Sequence, residues 1–482
     1  MWRQLPYIAV LEKAGIPTVT LDFEDQDNMM NQESLAQGVP NIRYLHASRT
    51  VPGPEDVDNF VEPMLQMLIT PLTEKEKENG RWEQSQERTL FEGTLDEAES
   101  FYGQAEWVPH PVNAPIAVYS DGYPVRVPTE ERVKEMLAGT SHSPDEVMTY
   151  KSDKLTIRGE RKKGDPVRFA PMNWTATVEK VAINAVMAGC KPEHLPAVLA
   201  IAESGCPIES THALGQWICV SGPYAKEIEM NSGLGLLGMG NPANIAIGRS
   251  YQLMTRNLGG AIMGVNRMPS ISSPFTHGTG CAENSEGLPP GWKGLNEEAG
   301  FGKDESVVAV FNVPDGIRGV QHSPGGYRAL QKSGHGGMAR RLGVKGVPGP
   351  HNWLEHILPE FWAGREGAKT IIMVPEMAKH LYEIGFKSKE EVYQWLWEKS
   401  FVTVKEYKNF SWVDITTNGW MGIEPISGKH WKELDDDHMV PAGGASPAGF
   451  CIIVGGGDEE VSQQLGGRRA GENAVYSIDA WR

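Results

Sequence analysis

The pattern of apolar and polar positions switches repeatedly between the 3.6-residue period of a helix and the two-residue period of a strand. Over residues 5–13 apolar side chains recur at helical spacing, with Ile8, Leu11 and Ala14 on one face. Gly15 ends the run and Pro17 prevents its return. Residues 18–23 then alternate as a strand does. A helix feeding a strand is half of an α/β unit, and such a pair alone cannot bury both faces of a sheet. The spacing therefore predicts an incomplete amino-terminal α/β domain, completed by another chain or by residues upstream of Met1.

Residues 60–72 carry a second helical apolar stretch (Phe60, Met64, Met67, Leu68), and the charged run 73–88 reads as a solvated linker. A turn near 120–124 precedes a helix over 130–137 that Gly139 closes. Ser143-Pro144-Asp145-Glu146 has the form of a capping box with proline at the first helical position, and 154–165 reads as a surface hairpin. Thr177 caps a helix over 177–188, with Val178, Val181, Ala182, Ala185 and Val186 as its buried face and Gly189 as its stop. A second helix covers 193–203, and 217–222 form a short buried strand. Asn241-Pro242 opens a helix to Arg256. Strands follow at 307–312, 370–374 and 450–454, with a Ser388-capped helix between the last two. Strands alternating with helices place the chain in the α/β or mixed α+β class. The division this suggests is a partial α/β domain over 1–75, a linker and small α+β region over 76–170, and a large glycine-rich α/β domain over 171–482.

The 482-residue chain carries a formal charge of −17. That excess of acid argues against nucleic acid as the ligand, because a phosphate backbone needs a basic footprint. It also argues against adhesion to anionic membranes. No stretch reaches the roughly 20 apolar residues of a membrane span, and the first residues lack the apolar core and cleavage site of a secretory signal. Five cysteines (Cys190, Cys206, Cys219, Cys281, Cys451) without a CxxC pair fit a reducing compartment. A cytoplasmic protein is the expectation.

Candidate chemistry concentrates in glycine-rich loops. The run His277-Gly-Thr-Gly-Cys281-Ala-Glu283-Asn284 brings an imidazole, a thiol and a carboxylate into one short segment. Those groups suit a nucleophile with its base, general acid–base work, or metal ligation, although the spacing completes no standard zinc site locally; the alternative is a structural loop in which Glu283 caps neighbouring amides. Gly233–Gly238 spells GxGxxG, but no strand precedes it and the helix opens only at Asn241-Pro242, which disfavours a dinucleotide site. The loop still delivers backbone N–H groups to a helix amino terminus, where an anion is stabilised, unless it is simply a tight turn packing helices closely. Asn241, Asn244, Arg249 and Arg256 belong to that helix. His335, followed by Arg340 and Arg341, and the pair His351 and His356 add imidazoles, without an HExxH motif. His430 and the run Asp435-Asp436-Asp437-His438 have the residue types of a divalent-ion site, although such a run is usually solvated surface. Cys190 follows a helix carboxy terminus and reads as structural, and Cys219 and Cys451 sit in apolar strands. The expected set is catalytic His277, Cys281 and Glu283, with Asn241, Asn244, Arg249, Asn284 and His335 binding substrate. No metal and no cofactor is assigned.

From about Phe91 onward, residues 121–139, 175–200, 238–261, 277–284 and 374–398 resemble, in one order, the carboxy-terminal region of the UGSC family, named after its selenocysteine/cysteine-Gly-Ser-Cys motif. Residues 11–21 are similar to the segment that follows the redox motif in the substrate-binding selenoprotein of glycine and betaine reductases, where the reactive residue sits just ahead of this helix. The motif itself is missing here: no cysteine precedes Cys190. The resemblance implies one subunit of a heteromeric thiol- or selenol-dependent enzyme acting on a small polar molecule, by reductive cleavage of a carbon–heteroatom bond. It implies a partner chain carrying the first α/β unit and the reactive cysteine or selenocysteine. The rival readings are a metal-dependent hydrolase or lyase using His277, His335, His351 or Glu283, and a non-catalytic structural subunit.

Overall fold

In the computed structural model the described residues are 5–23, 27–47, 57–78, 87–109, 112–156, 159–207, 215–267, 272, 274–313, 320–321, 349–362, 369–406, 423–424, 426–441, 445–457, 462–465, 468–469 and 474–482. They form a mixed α/β fold. The amino-terminal unit runs α1 (Leu5–Lys13), β1 (Thr20–Phe23), α2 (Asp27–Gln37), β2 (Tyr44–Ala47) and α3 (Asp58–Ile69). β1 and β2 pair in parallel, with Thr20 opposite Tyr44, and no other described strand joins them.

The inner face of α1 differs from the predicted one. Leu5 packs on Met30 of α2, beside Ile42 and Tyr44, while Leu11 is 40% exposed. A two-stranded sheet is too narrow to cover the predicted face, so α2 becomes the packing partner. α3 is apolar in sequence and buries none of its residues. Its carboxy-terminal end is tied down by Arg43, which donates to the carbonyls of Thr70 and Pro71 and pairs with Glu76 at 2.7 Å.

The next segment holds α4 (Leu95–Tyr102), a hairpin of β3 (Ala105–Val108) and β4 (Ala114–Ala117), α5 (Glu130–Leu137), and a hairpin of β5 (Lys154–Thr156) and β6 (Gly159–Arg161). The helix start predicted at Ser143 is a turn instead. Ser143 Oγ bonds Asp145, and Glu146 directs its carboxylate to His142 and Lys151.

The body begins with α6 (Val178–Ala188) and α7 (Leu195–Glu203). Then come β7 (Gly215–Ser221), α8 (Tyr224–Glu227), α9 (Pro242–Asn257), β8 (Thr279–Ala282), α10 (Leu295–Glu298) and β9 (Val307–Val313). The later strands are β10 (Val320–Gln321), β11 (Lys369–Met373), β12 (Phe401–Thr403), β13 (Met439–Pro441), β14 (Phe450–Val454), β15 (Ser462–Leu465), β16 (Arg468–Arg469) and β17 (Val475–Ser477). Among them lie helices at Trp353–Trp362, Pro375–Glu383 and Lys389–Lys399. One sheet has the order β16-β9-β7-β8, with β17 also on β9; the other has the order β10-β15-β11-β14. β7 and β8 are parallel, as are β11 and β14.

Alternation along these strands sets the layers. Ile218, Val220, Val308 and Val310 face α6, α7 and α9. Their neighbours Trp217, Cys219, Cys281, Ala309 and Phe311 face the second sheet and meet Ile372, Cys451 and Ile453 there. The second sheet turns Ile371, Met373, Ile452 and Val454 to the three later helices. The order is helix, sheet, sheet, helix, with an apolar layer between the sheets. Among the described residues no helix is long and apolar enough to cross a membrane.

Candidate functional site

The polar groups gather where the 120–124 turn meets α9 and the short 3₁₀ turn Pro274–His277. α9 starts cleanly: Asn241 Oδ1 accepts from Asn244 N at 2.9 Å, and Pro242 takes the first position. The helix then runs hard against β8. A Cβ at Gly248 would stand 2.5 Å from Gly280 N, one at Gly280 2.5 Å from the Asn244 carbonyl, and one at Gly278 2.5 Å from Arg249 Cα. The glycines around His277 therefore let a helix approach a strand. That contact places His277 beside Arg249, near the middle of α9.

Arg249 grips the 120–124 turn. Its Nε and Nη2 each donate to Asp121 at 2.8 Å, and Nη2 reaches the Tyr123 carbonyl at 3.3 Å. Both side chains of this fork are only 14% exposed, which makes it stronger than an ordinary surface pair. Two helical turns further on, Arg256 donates to the Ala117 carbonyl at 2.8 Å and also to that of Val118. Held by both arginines, the turn delivers the Tyr123 hydroxyl to His277 Nδ1 at 2.8 Å, with the two rings edge to face. His277 is exposed, and among the described residues nothing hydrogen-bonds its Nε2. An imidazole fixed through one nitrogen, with the other unoccupied, is the arrangement of a general acid or base.

The remaining expected residues fall elsewhere. Cys281 lies on β8 directly beside Cys219 of β7, fully buried in the layer between the sheets with Cys451. The neighbouring Cys281 thiol, then burial, hold the Cys219 thiol well above its ordinary range. Burial pushes Cys190 and Cys206 up as well. Cys281 therefore shares no surface with His277, which corrects the expectation that the two act together.

Glu283 is also internal. Lys389 Nζ donates to its Oε1 at 2.9 Å, and Ser221 Oγ and Leu295 N donate to its Oε2 at 2.7 and 2.6 Å. Lys389 also donates to Glu298 and to the Ile452 carbonyl, both at 3.0 Å, and Tyr393 donates to Glu298 at 2.8 Å. Burial opposes the ammonium charge, but Glu283 and Glu298 outweigh it and raise the Lys389 pKa. Glu283 thus joins β8 to α10 and to the helix Lys389–Lys399. Neither of its oxygens is open to a substrate, a second correction. The structural alternative, Glu283 bonding a neighbouring amide, is the one the geometry matches at Leu295.

Asn244 and Asn284 also hold the chain together. Asn244 accepts from Asn231 N and donates to the Asn231 carbonyl, pinning the glycine loop onto α9. Asn284 accepts from Gly287 N, and its own N–H donates to the Val454 carbonyl, joining the ends of the two sheets. His335, Arg340 and Arg341 lie outside the described residues. His351 is exposed in the turn ahead of the helix Trp353–Trp362, His356 is buried on that helix, and Asp435, Asp436 and Asp437 are exposed on a turn. Of the expected set, His277 and Arg249 are brought together. Asp121 and Tyr123, which unite them, escaped the sequence reading because they lie 128 and 154 residues from their partners.

No protein-family model matches this chain, and no curated protein or solved structure matches it either.

Proposed function

We propose that this chain is the pocket-bearing subunit of a heteromeric thiol- or selenol-dependent enzyme acting on a small polar molecule, with the reactive chalcogen carried by polypeptide that completes the β1–β2 sheet. The observation that carries the reading is the burial of all five cysteines as free thiols. The thiolate is the attacking form and must reach the substrate, whereas every one of these thiols is closed off in the interior. Sulfur chemistry here would need its nucleophile from elsewhere.

The amino-terminal unit offers the place. Among the described residues β1 and β2 pair only with each other, and a strand edge is a template for another strand. Tyr7 and Val10 of α1 are 63% and 66% exposed, and Val61, Leu65 and Ile69 of α3 are exposed as well. Similarity to the UGSC family supports the same assignment. In the reaction a chalcogenolate bonds to the carbon as the carbon–heteroatom bond breaks; the heteroatom leaves with the electron pair and takes a proton, which His277 donates.

The test is co-expression with the polypeptide encoded beside this one in the genome. A complex that forms through residues 5–69 and turns over only with an intact cysteine or selenocysteine in the partner is the expected result. A lone chain with full activity, or a partner that does not bind, refutes the proposal.

A further inference from the structure

Arg267 sits in the interior, 6% exposed, and its Nη1 is sealed from solvent without a hydrogen-bond partner. Among the described residues no group accepts a hydrogen bond from this guanidinium. Its backbone is held in a hydrogen-bonded turn. Asn266 N and Arg267 N both donate to the Ile262 carbonyl at 3.1 Å, and Gly264 N donates to the Arg267 carbonyl at 3.0 Å. The Asn266 side chain closes the turn, accepting from Ile262 N at 2.7 Å and donating to the Gly260 carbonyl at 2.9 Å.

Three other parts of the fold pack around that turn. Val108 and Val112 of the β3–β4 hairpin crowd Gly264. Glu33 of α2 lies close enough to Asn266 for its amide to favour the carboxylate. Tyr251 of α9 is the ionisable group that faces Arg267, and its hydroxyl is already donated to the Pro207 carbonyl at 2.6 Å. Glu33 accepts from Gln37 at 2.9 Å on its other side, so no described carboxylate neutralises the guanidinium. Burial draws Arg267 down to about 10, which still leaves it charged at neutral pH.

A buried cation with neither counter-ion nor acceptor is strongly disfavoured unless something supplies them. We infer that Arg267 anchors a binding site for the oxyanion of a small molecule, a carboxylate or a phosphate. The planar fork of guanidinium donors matches either group in two parallel hydrogen bonds, and the rigid turn presents it without a further ordering cost. The anion site stands whether or not the chalcogen chemistry does.

Thermal melting of the full chain tests it, with about 10 mM sodium phosphate, sodium acetate or sodium chloride at matched ionic strength. Wild type should show a saturable rise of about 2 °C or more with phosphate or acetate and none with chloride. The oxyanion giving the larger rise identifies the ligand group. Arg267→Met should melt at or above the wild-type temperature in chloride and respond to neither oxyanion. Arg267→Lys, which keeps the charge but loses the fork, should fold and retain at most a small part of the shift. A wild type that ignores both oxyanions overturns the inference. So does an Arg267→Lys chain that responds as wild type does, or an Arg267→Met chain that melts several degrees lower in chloride.

Discussion

Glu33 gives the amino-terminal unit a pH-dependent hold on the body. The side chain is 2% exposed, with one oxygen on Gln37 and the other, Oε2, without a partner. Burial, only partly offset by the Gln37 hydrogen bond and the nearby Asn266 amide, raises its pKa from 4.5 to about 7. A carboxyl whose folded value is raised binds more protons folded than unfolded between the two values. Stability from this group is therefore complete below about pH 4.5 and is lost as the pH climbs through about 7. At about 1.4 kcal/mol per pH unit, the loss is about 3 kcal/mol. Glu76, held down to about 2 mainly by its hydrogen bond from Arg43, titrates below this range and does not confuse it. The perturbation is Glu33→Gln, which keeps an acceptor for Gln37 and cannot ionise. Hydrogen exchange of the α2 amides, corrected for intrinsic rates, reads the local opening energy at about pH 5 and about pH 8. Wild-type α2 should open more readily at the higher pH, and the variant should be nearly flat and better protected there. Equal pH dependence in the two proteins would refute the assignment.

Other substitutions probe the body and the site. Lys389→Met leaves Glu283 and Glu298 buried without their cation, so urea unfolding should show a loss of about 3–5 kcal/mol, part of which Glu283→Gln added to it restores. Gly280→Ala puts a methyl group 2.5 Å from the Asn244 carbonyl; overpacking of about 1–3 kcal/mol should appear in the same assay, and an unchanged midpoint would mean that α9 moves aside freely. Arg249→Met removes the fork to Asp121 and, in the complex proposed above, should lower kcat about as much as Tyr123→Phe does without changing the affinity between the proposed subunits. A Tyr123→Phe chain with wild-type turnover and pH profile would remove the Tyr123–His277 pair from the chemistry.

Local signals carried much of the fold. Thr177 accepts from Lys180 N, and Gly189 ends α6 with a left-handed φ of 86°, as their residue types foretell. The apolar runs at 450–454 and 370–374 are strands in one sheet because an unbroken aliphatic stretch needs cover on both faces. The stack of two sheets was not legible. β14 reaches β11 only after the helices Pro375–Glu383 and Lys389–Lys399, and β9 takes strands from the far carboxy terminus. Pairings across such separations leave no mark in a sequence window. The buried face of α1 was misread for a related reason: periodicity names two candidate faces, and α2 decides between them.

The site shows a sharper version of the same limit. A histidine, a cysteine and a glutamate within seven positions look like a reactive cluster, yet the last two stand at alternate positions of one strand and its continuation. Thr279, Cys281 and Glu283 share the period of β8, so the side chains of the latter two enter the layer between the sheets. Gly278 just ahead of the strand and Gly280 within it disguise that strand, because they lower its propensity while admitting α9 to its face. Once Glu283 is committed to the interior it must meet a buried cation, and the chain supplies Lys389, 106 residues on. His277 precedes the strand, escapes its alternation and stays at the surface. The strand boundary, rather than the chemistry of the side chains, separates the residue that can meet a substrate from the two that hold the sheets together.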